Sequence, residues 1–283
     1  MMTADGQSFW VSETGGGYGN TVEVTAKLYE YRSEFQKIEI FETRKLGRML
    51  MLDGIIQLTE FDEFAYQEMM AHPALLVHPD PRRILIVGGG DGGVAREAAR
   101  HDAVEQIDLC EIDGAVVEAA RRFLPSLACG FDDRRVRLHI DDGVRFVHAH
   151  PGEFDVIIVD STDPVGPGEA LFGADFYRAA MRALKPDGVI CSQAESIYLF
   201  PEIVQRLHRL TESLFRHNGY GMIAVPTYPT GTIGFCMGSQ THPVDRPLRP
   251  LPEALARQLR YYTPEIHHAA FQLPAFAARW FRQ

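Results

Sequence analysis

The chain contains few cysteines and no long apolar run. Its 283 residues include only Cys110, Cys129, Cys191 and Cys236, which form no Cys-x-x-Cys pair. Their spacing argues against a disulfide framework or a metal cluster, and we expect reduced thiols in a cytoplasmic protein. No segment approaches the roughly 18 consecutive apolar residues of a membrane span. The N-terminus also lacks the basic and apolar stretches of an export signal, so no membrane partner is expected.

The chain also has fewer basic than acidic residues, which bears on its partners. Lys and Arg total 28 against 38 Asp and Glu, a net charge of −10. Nucleic-acid-binding proteins need a basic surface, so no nucleic-acid partner is expected. An acidic cleft would concentrate a cationic substrate, although the same charge can simply keep a protein in solution. Charge alone leaves both interpretations open.

The order of sequence patterns predicts two domains. Residues 1–60 alternate like β-strands, with a hairpin turn at Asp53-Gly54, and predict a small N-terminal β-domain. Residues 61–80 have a helical period, with Phe64, Met69 and Leu75 on its apolar face, and predict a connecting helix. Residues 81–283 alternate strands with helices, which predicts an α/β doubly wound, Rossmann-like sheet. We also expect a terminal strand pair, followed by a helical tail at PEALARQLRYY.

Polar and glycine residues follow three successive strands of this domain. They are the glycine string GGGDGG at 88–93, Glu111, and Asp142-Gly143. Glycines let the backbone approach a ligand, and a carboxylate about twenty residues on can accept from ribose hydroxyls. Asp142 could accept from an adenine amino group. Turn glycines, a solvated strand end and a helix cap are the structural alternatives, but their coincidence favours a nucleotide site.

The same string matches G-x-G-x-x-G, so a nicotinamide dinucleotide is an alternative ligand. A pyrophosphate would sit at the helix N-terminus, where the carboxylate of Asp91 would repel it. An acid there suits a cationic ligand, which favours an adenosylmethionine-type nucleotide.

The next strand end carries Asp160-Ser161-Thr162-Asp163-Pro164 and a loop rich in glycine and proline. Two carboxylates three residues apart at the mouth of a sheet are unfavourable unless a cation lies between them. A turn cap at Asp163 and a strand stop at Asp160 are the structural alternative. We expect this strand end to lie beside the glycine string, so that Asp91 and Asp160 face one cleft.

These motifs together resemble the polyamine aminopropyltransferase family. The matching segments cover nearly the whole chain and are EFQ at 34–36, LDGIIQLTEFDEFAYQEMM at 52–70, GGGDGG at 88–93, CEID at 110–113, DDG at 141–143, DSTDPVGPGEALF at 160–172, PTYPTGTIGF at 226–235, and the C-terminal run from Tyr261. The resemblance implies a methyltransferase-type Rossmann-like domain after an N-terminal β-domain, in a homodimer or homotetramer.

The resemblance also implies residue roles. Decarboxylated S-adenosylmethionine, a co-substrate rather than a cofactor, would be held by Gln36, Gln67, Asp91, Glu111, Asp142 and Gly143. The acceptor amine would be held by Tyr66, Asp160, Asp163 and Tyr228, with Gln57 and Gln193 lining the cleft. Asp160 would accept the proton, and the Trp10 region would help to close the amine pocket. Gln67 stands where many bacterial relatives have histidine, which we do not expect to change the reaction.

The implied reaction moves the aminopropyl group to putrescine and yields spermidine and 5′-methylthioadenosine. Cadaverine, agmatine or spermidine could replace putrescine as the acceptor. The sequence also leaves open a putrescine N-methyltransferase, an NAD-dependent oxidoreductase and a polyamine-binding protein without activity. Asp91 opposes the methyltransferase, because it would repel the carboxylate of intact adenosylmethionine. No metal is expected, since the eleven histidines show no ligand spacing beyond the adjacent His267-His268.

Overall fold

The computed structural model describes residues 8–15, 17–164 and 166–281. The first sheet consists of β1 (Phe9–Gly15), β2 (Tyr18–Arg32), β3 (Lys37–Thr43), β4 (Arg48–Leu52) and β5 (Ile55–Thr59). Its strands are antiparallel and lie in sequence order. Asp53 and Gly54 have φ of 47° and 85° between β4 and β5. Two positive φ values are typical of a type I′ hairpin turn, so the predicted hairpin is confirmed.

The second sheet has seven strands. They are β6 (Arg83–Gly88), β7 (Gln106–Glu111), β8 (Val136–Ile140), β9 (Phe154–Asp160), β10 (Leu184–Gln193), β11 (His217–Ala224) and β12 (Thr232–Ser239). Their order is β11-β12-β10-β9-β6-β7-β8. The five strands from β10 to β8 in this order are parallel, and β12 and β11 extend the sheet in antiparallel fashion. The predicted parallel sheet and terminal strand pair are therefore confirmed.

Helices cover both faces of the second sheet. They are α1 (Glu63–Val77), α2 (Gly93–Ala99), α3 (Gly114–Phe123), α4 (Pro125–Ala128), α5 (Gly143–Ala149), α6 (Ala174–Ala183), α7 (Pro201–Leu214), α8 (Glu253–Ala256), α9 (Pro264–Ala270) and α10 (Ala275–Ala278), with 3₁₀ turns at Cys129–Asp132, Gly166–Phe172 and Pro229–Gly231. Alternate β6 residues enter different cores: Ile84 and Ile86 pack with α1 and α2, whereas Leu85 and Val87 pack with α6 and α7. This two-sided burial is that of a doubly wound, Rossmann-like sheet.

Helix α1 is buried nearly all round, which an amphipathic connecting helix would not be. Every residue of it except Phe64 is buried. One side packs on the second sheet, and Glu68 on another side accepts hydrogen bonds from the backbone N–H groups of Arg260, Tyr261 and Tyr262. Phe64, predicted on the apolar face, packs partly buried against the core, and the guanidinium carbon of Arg260 lies 3.6 Å from the centre of its ring. The sequence period missed this second contact because the C-terminal segment is remote in the chain.

Two smaller expectations also differ from the structure. The helical tail predicted at residues 252–262 is only the single turn α8, and α9 begins after Thr263, whose hydroxyl caps it. Cys110, Cys191 and Cys236 are buried free thiols, whereas Cys129 is exposed. Within the described ranges, no helix is both long enough and apolar enough to span a membrane.

Candidate active site

The carboxyl ends of the parallel strands meet at one edge of the second sheet. Gly88 at the end of β6 pairs with Asp160 at the end of β9, and the Gly89 N–H donates to the Asp160 carbonyl at 2.9 Å. Gly88 has φ of 82°, and a Cβ there would lie 2.1 Å from the same carbonyl oxygen. Only glycine allows this close approach. The glycine string and the acidic strand end therefore lie side by side, as predicted.

A cavity of about 270 Å³ opens above these strand ends. The second sheet supplies its floor, and the first sheet and the segments around residues 168–171 and 193–200 supply its walls. Every site residue predicted from the sequence lines it: Gln36, Gln57, Tyr66, Gln67, Asp91, Glu111, Asp142, Gly143, Asp160, Asp163, Gln193 and Tyr228.

Glu111 is held on one side of the cavity by its own chain. Its Oε1 accepts from the Asp113 N–H at 2.8 Å, and burial, together with the charge of Asp113, raises the pKa of Glu111 to about 7. Asp113 Oδ2 accepts from the Gln36 Nε2 at 3.0 Å, so the amide of Gln36 is tied to the same strand end. Gln36 reaches this point from the turn before β3, in the first sheet. The two sheets thus share this wall.

Asp142 lies at the start of α5 and caps it. Its Oδ1 accepts from the N–H groups of Val144 and Arg145 at 2.8 and 3.2 Å. Asp142 is therefore a helix cap, which was the structural alternative, and it also lines the cavity. Gly143 follows, and a Cβ there would lie 2.5 Å from Val87 Cγ1. Glycine keeps α5 close to β6 at this point.

Asp91 lies in the turn between β6 and α2. Its Oδ1 accepts from the Gly93 N–H at 2.6 Å and from the Gln67 Nε2 at 3.2 Å. Burial raises the pKa of Asp91, while its hydrogen bonds and the charge of Arg96 oppose that rise. Gln67 thereby acts from α1 on the glycine string, which sequence spacing did not reveal.

Asp160 is at the centre of the cavity. The Tyr66 hydroxyl donates to its Oδ1 at 2.7 Å, and its Oδ2 is buried without a partner. Burial, then the charge of Asp91, raises the pKa of Asp160 to about 8. A carboxyl with this pKa can both accept and release a proton near neutral pH.

Two tyrosines flank the Asp160 carboxyl. The rings of Tyr66 and Tyr228 are 6.1 Å apart, and the Tyr228 hydroxyl donates to the backbone carbonyl of Gln57 in β5. Burial, followed by the charge of Asp160, raises the pKa of both phenols well above the ordinary value. Both therefore remain protonated donors at neutral pH.

Asp163 has a partner that the sequence interpretation missed, the carboxyl of Glu195. Glu195 is 3% exposed and lines the cavity just beyond the end of β10. Burial, then the charge of Asp163, raises the pKa of Glu195 to about 9, and burial raises that of Asp163. The Glu195 φ of 59° is unusual for a residue with a side chain, and such geometry occurs often at functional sites. The sequence signal was a second polar residue after Gln193 at that strand end.

The N-terminal strand supplies a further carboxyl. Glu13 of β1 is 7% exposed and lines the cavity, and burial is the main cause of its pKa of about 7. The segment around Trp10, predicted to help close the pocket, lines the cavity through Glu13, whereas Trp10 itself is 65% exposed and does not line it. Because side chains alternate along a strand, the two residues point to opposite faces. The functional signal in this segment is therefore Glu13.

The cavity holds unusually many unsatisfied polar atoms. Of nine buried side-chain nitrogen and oxygen atoms without a partner in the described part of the chain, five line it, and these are Glu13 Oε2, Gln67 Oε1, Asp160 Oδ2, Ser161 Oγ and Gln193 Oε1. Buried acceptors of this kind need donors, and several buried carboxyls need positive charge. In the described ranges no group of three His, Cys, Asp or Glu residues could hold a metal ion. The unpaired acceptors and the buried carboxyls suit an organic cation rich in N–H groups.

Fold and site together define an α/β enzyme with an anionic cleft at the switch point of its sheet. A family model described as the spermine/spermidine synthase domain matches residues 63–247, and one described as the spermidine synthase tetramerisation domain matches residues 9–60. The chain therefore belongs to the spermine/spermidine synthase family and is a transferase of alkyl groups.

Individual relatives agree with this family. The chain is 44% identical to a spermidine synthase of Dictyostelium discoideum over 95% of both chains. It is 45% identical to a spermine synthase of Arabidopsis thaliana, over 93% of this chain and 76% of that protein. It is also similar to a crystal structure of a spermidine synthase in complex with the transition-state analogue AdoDATO. That match has a TM-score of 0.92 and 37% identity, and covers 99% of this chain and 98% of the other.

Proposed function

We propose that the chain transfers the aminopropyl group of decarboxylated S-adenosylmethionine to putrescine, which yields spermidine and 5′-methylthioadenosine. The observation that carries this proposal is the buried, unpaired Oδ2 of Asp160, which faces a cavity lined by carboxyls on both sides. One side suits a nucleoside with a cationic tail, and the other suits a diamine.

The donor binds along the ends of β6, β7 and β8. Glu111 accepts from the ribose hydroxyls, and Gln36 lies beside it. Asp142 and Gly143 contact the adenine. Asp91, with Gln67, binds the terminal ammonium of the aminopropyl chain. Intact S-adenosylmethionine carries a carboxylate at that end, and Asp91 repels it. The support for this arrangement is the shared cavity and the acidic charge within the glycine string.

The acceptor lies between Asp160 and the outer carboxyls. Putrescine carries an ammonium at each end, so it needs an acidic group at both ends of its pocket. Tyr66, Tyr228 and Asp160 hold the reacting nitrogen. Asp163, with Glu195 and Glu13, binds the distant ammonium, while Gln57 and Gln193 line the space between. The raised pKa values of Asp163, Glu195 and Glu13 support this role, because a bound cation would offset the burial of these carboxyls.

Asp160 acts as the general base. An alkyl amine has a pKa of about 10, so it arrives protonated and without a free electron pair. Asp160 accepts that proton, the amine nitrogen attacks the propyl carbon next to the sulfonium, and the carbon–sulfur bond breaks. The electron pair of that bond stays on sulfur, so the leaving group is a neutral thioether. Base assistance of this kind contributes about 10²–10⁴-fold, and alignment of the two substrates supplies much of the rest.

Spermidine is a second candidate acceptor, because a spermine synthase is among the relatives at 45% identity. The test is mass spectrometry of products formed by the purified enzyme with decarboxylated donor and equal amounts of putrescine, cadaverine, agmatine and spermidine. We expect spermidine from putrescine as the main product. Equal use of intact S-adenosylmethionine, or no product from any of these amines, would contradict the proposal.

The domain organisation and assembly are also proposals. We assign residues 1–60 to the β-domain, 61–80 to the connecting helix and 81–283 to the catalytic domain. The match of residues 9–60 to a tetramerisation domain favours a homo-oligomer, a tetramer or a dimer. Light scattering on the purified chain would distinguish them. The four free thiols favour a reducing compartment, the cytoplasm.

A further inference from the structure

Asp62 does not line the cavity, but it connects the chain segments that carry the two tyrosines flanking Asp160. It stands at the N-cap position of α1, four residues before Tyr66. It is only 2% exposed. An aspartate at this position commonly accepts from the first N–H groups of its own helix, but here the side chain makes no such bond. Its carboxylate instead accepts hydrogen bonds from residues outside α1.

The Asp62 carboxylate joins β5 to the segment before Tyr228. Its Oδ2 accepts from the Thr227 backbone N–H at 2.8 Å, and its Oδ1 accepts from the Thr227 hydroxyl at 2.9 Å. Oδ1 also accepts from the Thr59 hydroxyl at 2.7 Å. All three donors are neutral, so the contact fixes geometry without forming an ion pair. A buried carboxylate with three donors is well satisfied only in this one arrangement.

This contact connects the two halves of the acceptor site. Tyr66 follows Asp62 by about one helical turn, and Tyr228 follows Thr227 directly. The Thr227 carbonyl is held separately by the Asn20 side-chain amide at 3.0 Å, so the segment is anchored from β2 of the first sheet as well as from the start of α1. Burial and the charge of Asp160, followed by that of Asp62, raise the pKa of Tyr228.

We propose that Asp62 is a positioning residue that holds Tyr228 relative to Tyr66 and so fixes the distance from the reacting nitrogen to the outer carboxyls, which determines acceptor affinity and the length of diamine that is accepted. This inference rests on the proposed function. Asp62 does not touch either substrate. It acts by holding the Tyr228 segment at a fixed distance from the start of α1.

The test compares Asp62→Ala with Glu68→Ala. Glu68 is a matched control: it lies on the same helix, is 1% exposed, and accepts from three backbone N–H groups of the C-terminal segment at 2.8–2.9 Å. Asp62→Ala should raise the KM for putrescine about tenfold, because two donors at Thr227 lose their acceptor. It should also raise the rate with cadaverine relative to putrescine, and leave the KM for the donor unchanged. Glu68→Ala should lower Tm about as much as Asp62→Ala does, but it should leave the KM for putrescine and the cadaverine-to-putrescine rate ratio unchanged.

Asp62→Asn should restore most of the acceptor affinity. Its amide oxygen can accept from the Thr227 N–H while its nitrogen donates to the two threonine hydroxyls, which can reverse their roles. Thr227→Val removes only one donor and should raise the KM for putrescine about threefold. It therefore tests the role of Asp62 if Asp62→Ala does not fold.

Three outcomes would overturn the inference. In the first, Asp62→Ala and Thr227→Val keep the wild-type KM for putrescine and the wild-type length preference. In the second, Asp62→Ala and Glu68→Ala have equal kinetic effects, and in the third, Asp62→Asn is as impaired as Asp62→Ala. These outcomes count against the inference only if the wild-type enzyme converts putrescine. A wild-type enzyme that converts no amine would overturn the proposed function itself, and this inference with it.

Discussion

The donor and acceptor halves of the cleft are built in different ways. The carboxyls proposed to contact the donor lie at consecutive strand ends and already bond to neighbours: Glu111 to the Asp113 N–H and Asp142 to the start of α5. Gln36 and Gln67 join this half from the first sheet and from α1, and Gln67 Oε1 is unpaired. Acceptor residues come from both sheets, α1 and two loops, and Asp160, Gln193 and Glu13 each present an unpaired buried oxygen. The donor carboxyls are preorganised by local structure, whereas the acceptor half depends on long-range packing and on its ligand.

The largest expected effect is at Asp160, the acceptor residue proposed as the base. Asp160→Asn should lower kcat by about 10²–10⁴-fold, because the amide cannot accept the amine proton. Donor affinity should change little, since the donor contacts lie on other strands. Single-turnover rates and calorimetric titration with decarboxylated donor would check both statements. A rate near that of the wild type would remove Asp160 from the role of base.

A reciprocal pair of variants would separate the halves. Glu195→Gln should raise the KM for putrescine about tenfold, because the distant ammonium loses a charged partner, and leave the KM for the donor unchanged. Glu111→Gln should do the opposite, by a similar factor. Steady-state kinetics with each substrate varied would show the crossed pattern. If both variants raised both KM values equally, the cleft would behave as one unit and the comparison would fail.

An effect of similar size is expected on the choice of donor. Asp91→Asn keeps an acceptor oxygen for the Gly93 N–H and removes the charge. The preference for decarboxylated over intact S-adenosylmethionine should fall about tenfold, or about 1.4 kcal/mol. Dissociation constants for both nucleotides, measured without amine, test this directly. An unchanged ratio would mean that repulsion at Asp91 does not select the donor.

The smallest expected effect is on stability. The pKa is about 8 for Asp160, about 9 for Glu195 and about 7 for Glu13 and Glu111. Unfolded carboxyls titrate at about 4, so between about pH 4 and 9 the folded state holds protons that the unfolded state has lost. The free energy of unfolding of the ligand-free protein should therefore fall as pH rises through this window.

Thermal unfolding at pH 6 and pH 9 would test this dependence. Glu195→Gln should reduce the drop in Tm by about 2–4 °C. Glu111→Gln should reduce it less, because its pKa is lower. Saturating putrescine should also reduce the drop in the wild-type enzyme. A Tm that rises with pH in the ligand-free protein would contradict the raised pKa values.

Sequence reasoning reached the donor half and the base more completely than the acceptor half. The pairing of Gly88 with Asp160 follows from parallel strands whose ends carry short motifs, and local patterns reveal such motifs well. Glu13 was missed because nothing near it in the chain indicates that β1 folds over a cavity in another sheet. Glu195 was missed because its backbone turns back with φ of 59°, which strand periodicity does not predict. The full burial of α1 depends on residues 260–262, which are remote in sequence.

The Gly88–Asp160 pairing also limits how this enzyme can be redesigned. The proposed base and the turn proposed to hold the donor are joined by a backbone hydrogen bond, with no room for even a methyl group between them. The spacing of these two strand ends is therefore set by the backbone and not by the choice of a side chain. Engineering for bulkier amines should leave these two strands untouched. It should instead vary the residues that line the cavity from β1 and from segment 193–200.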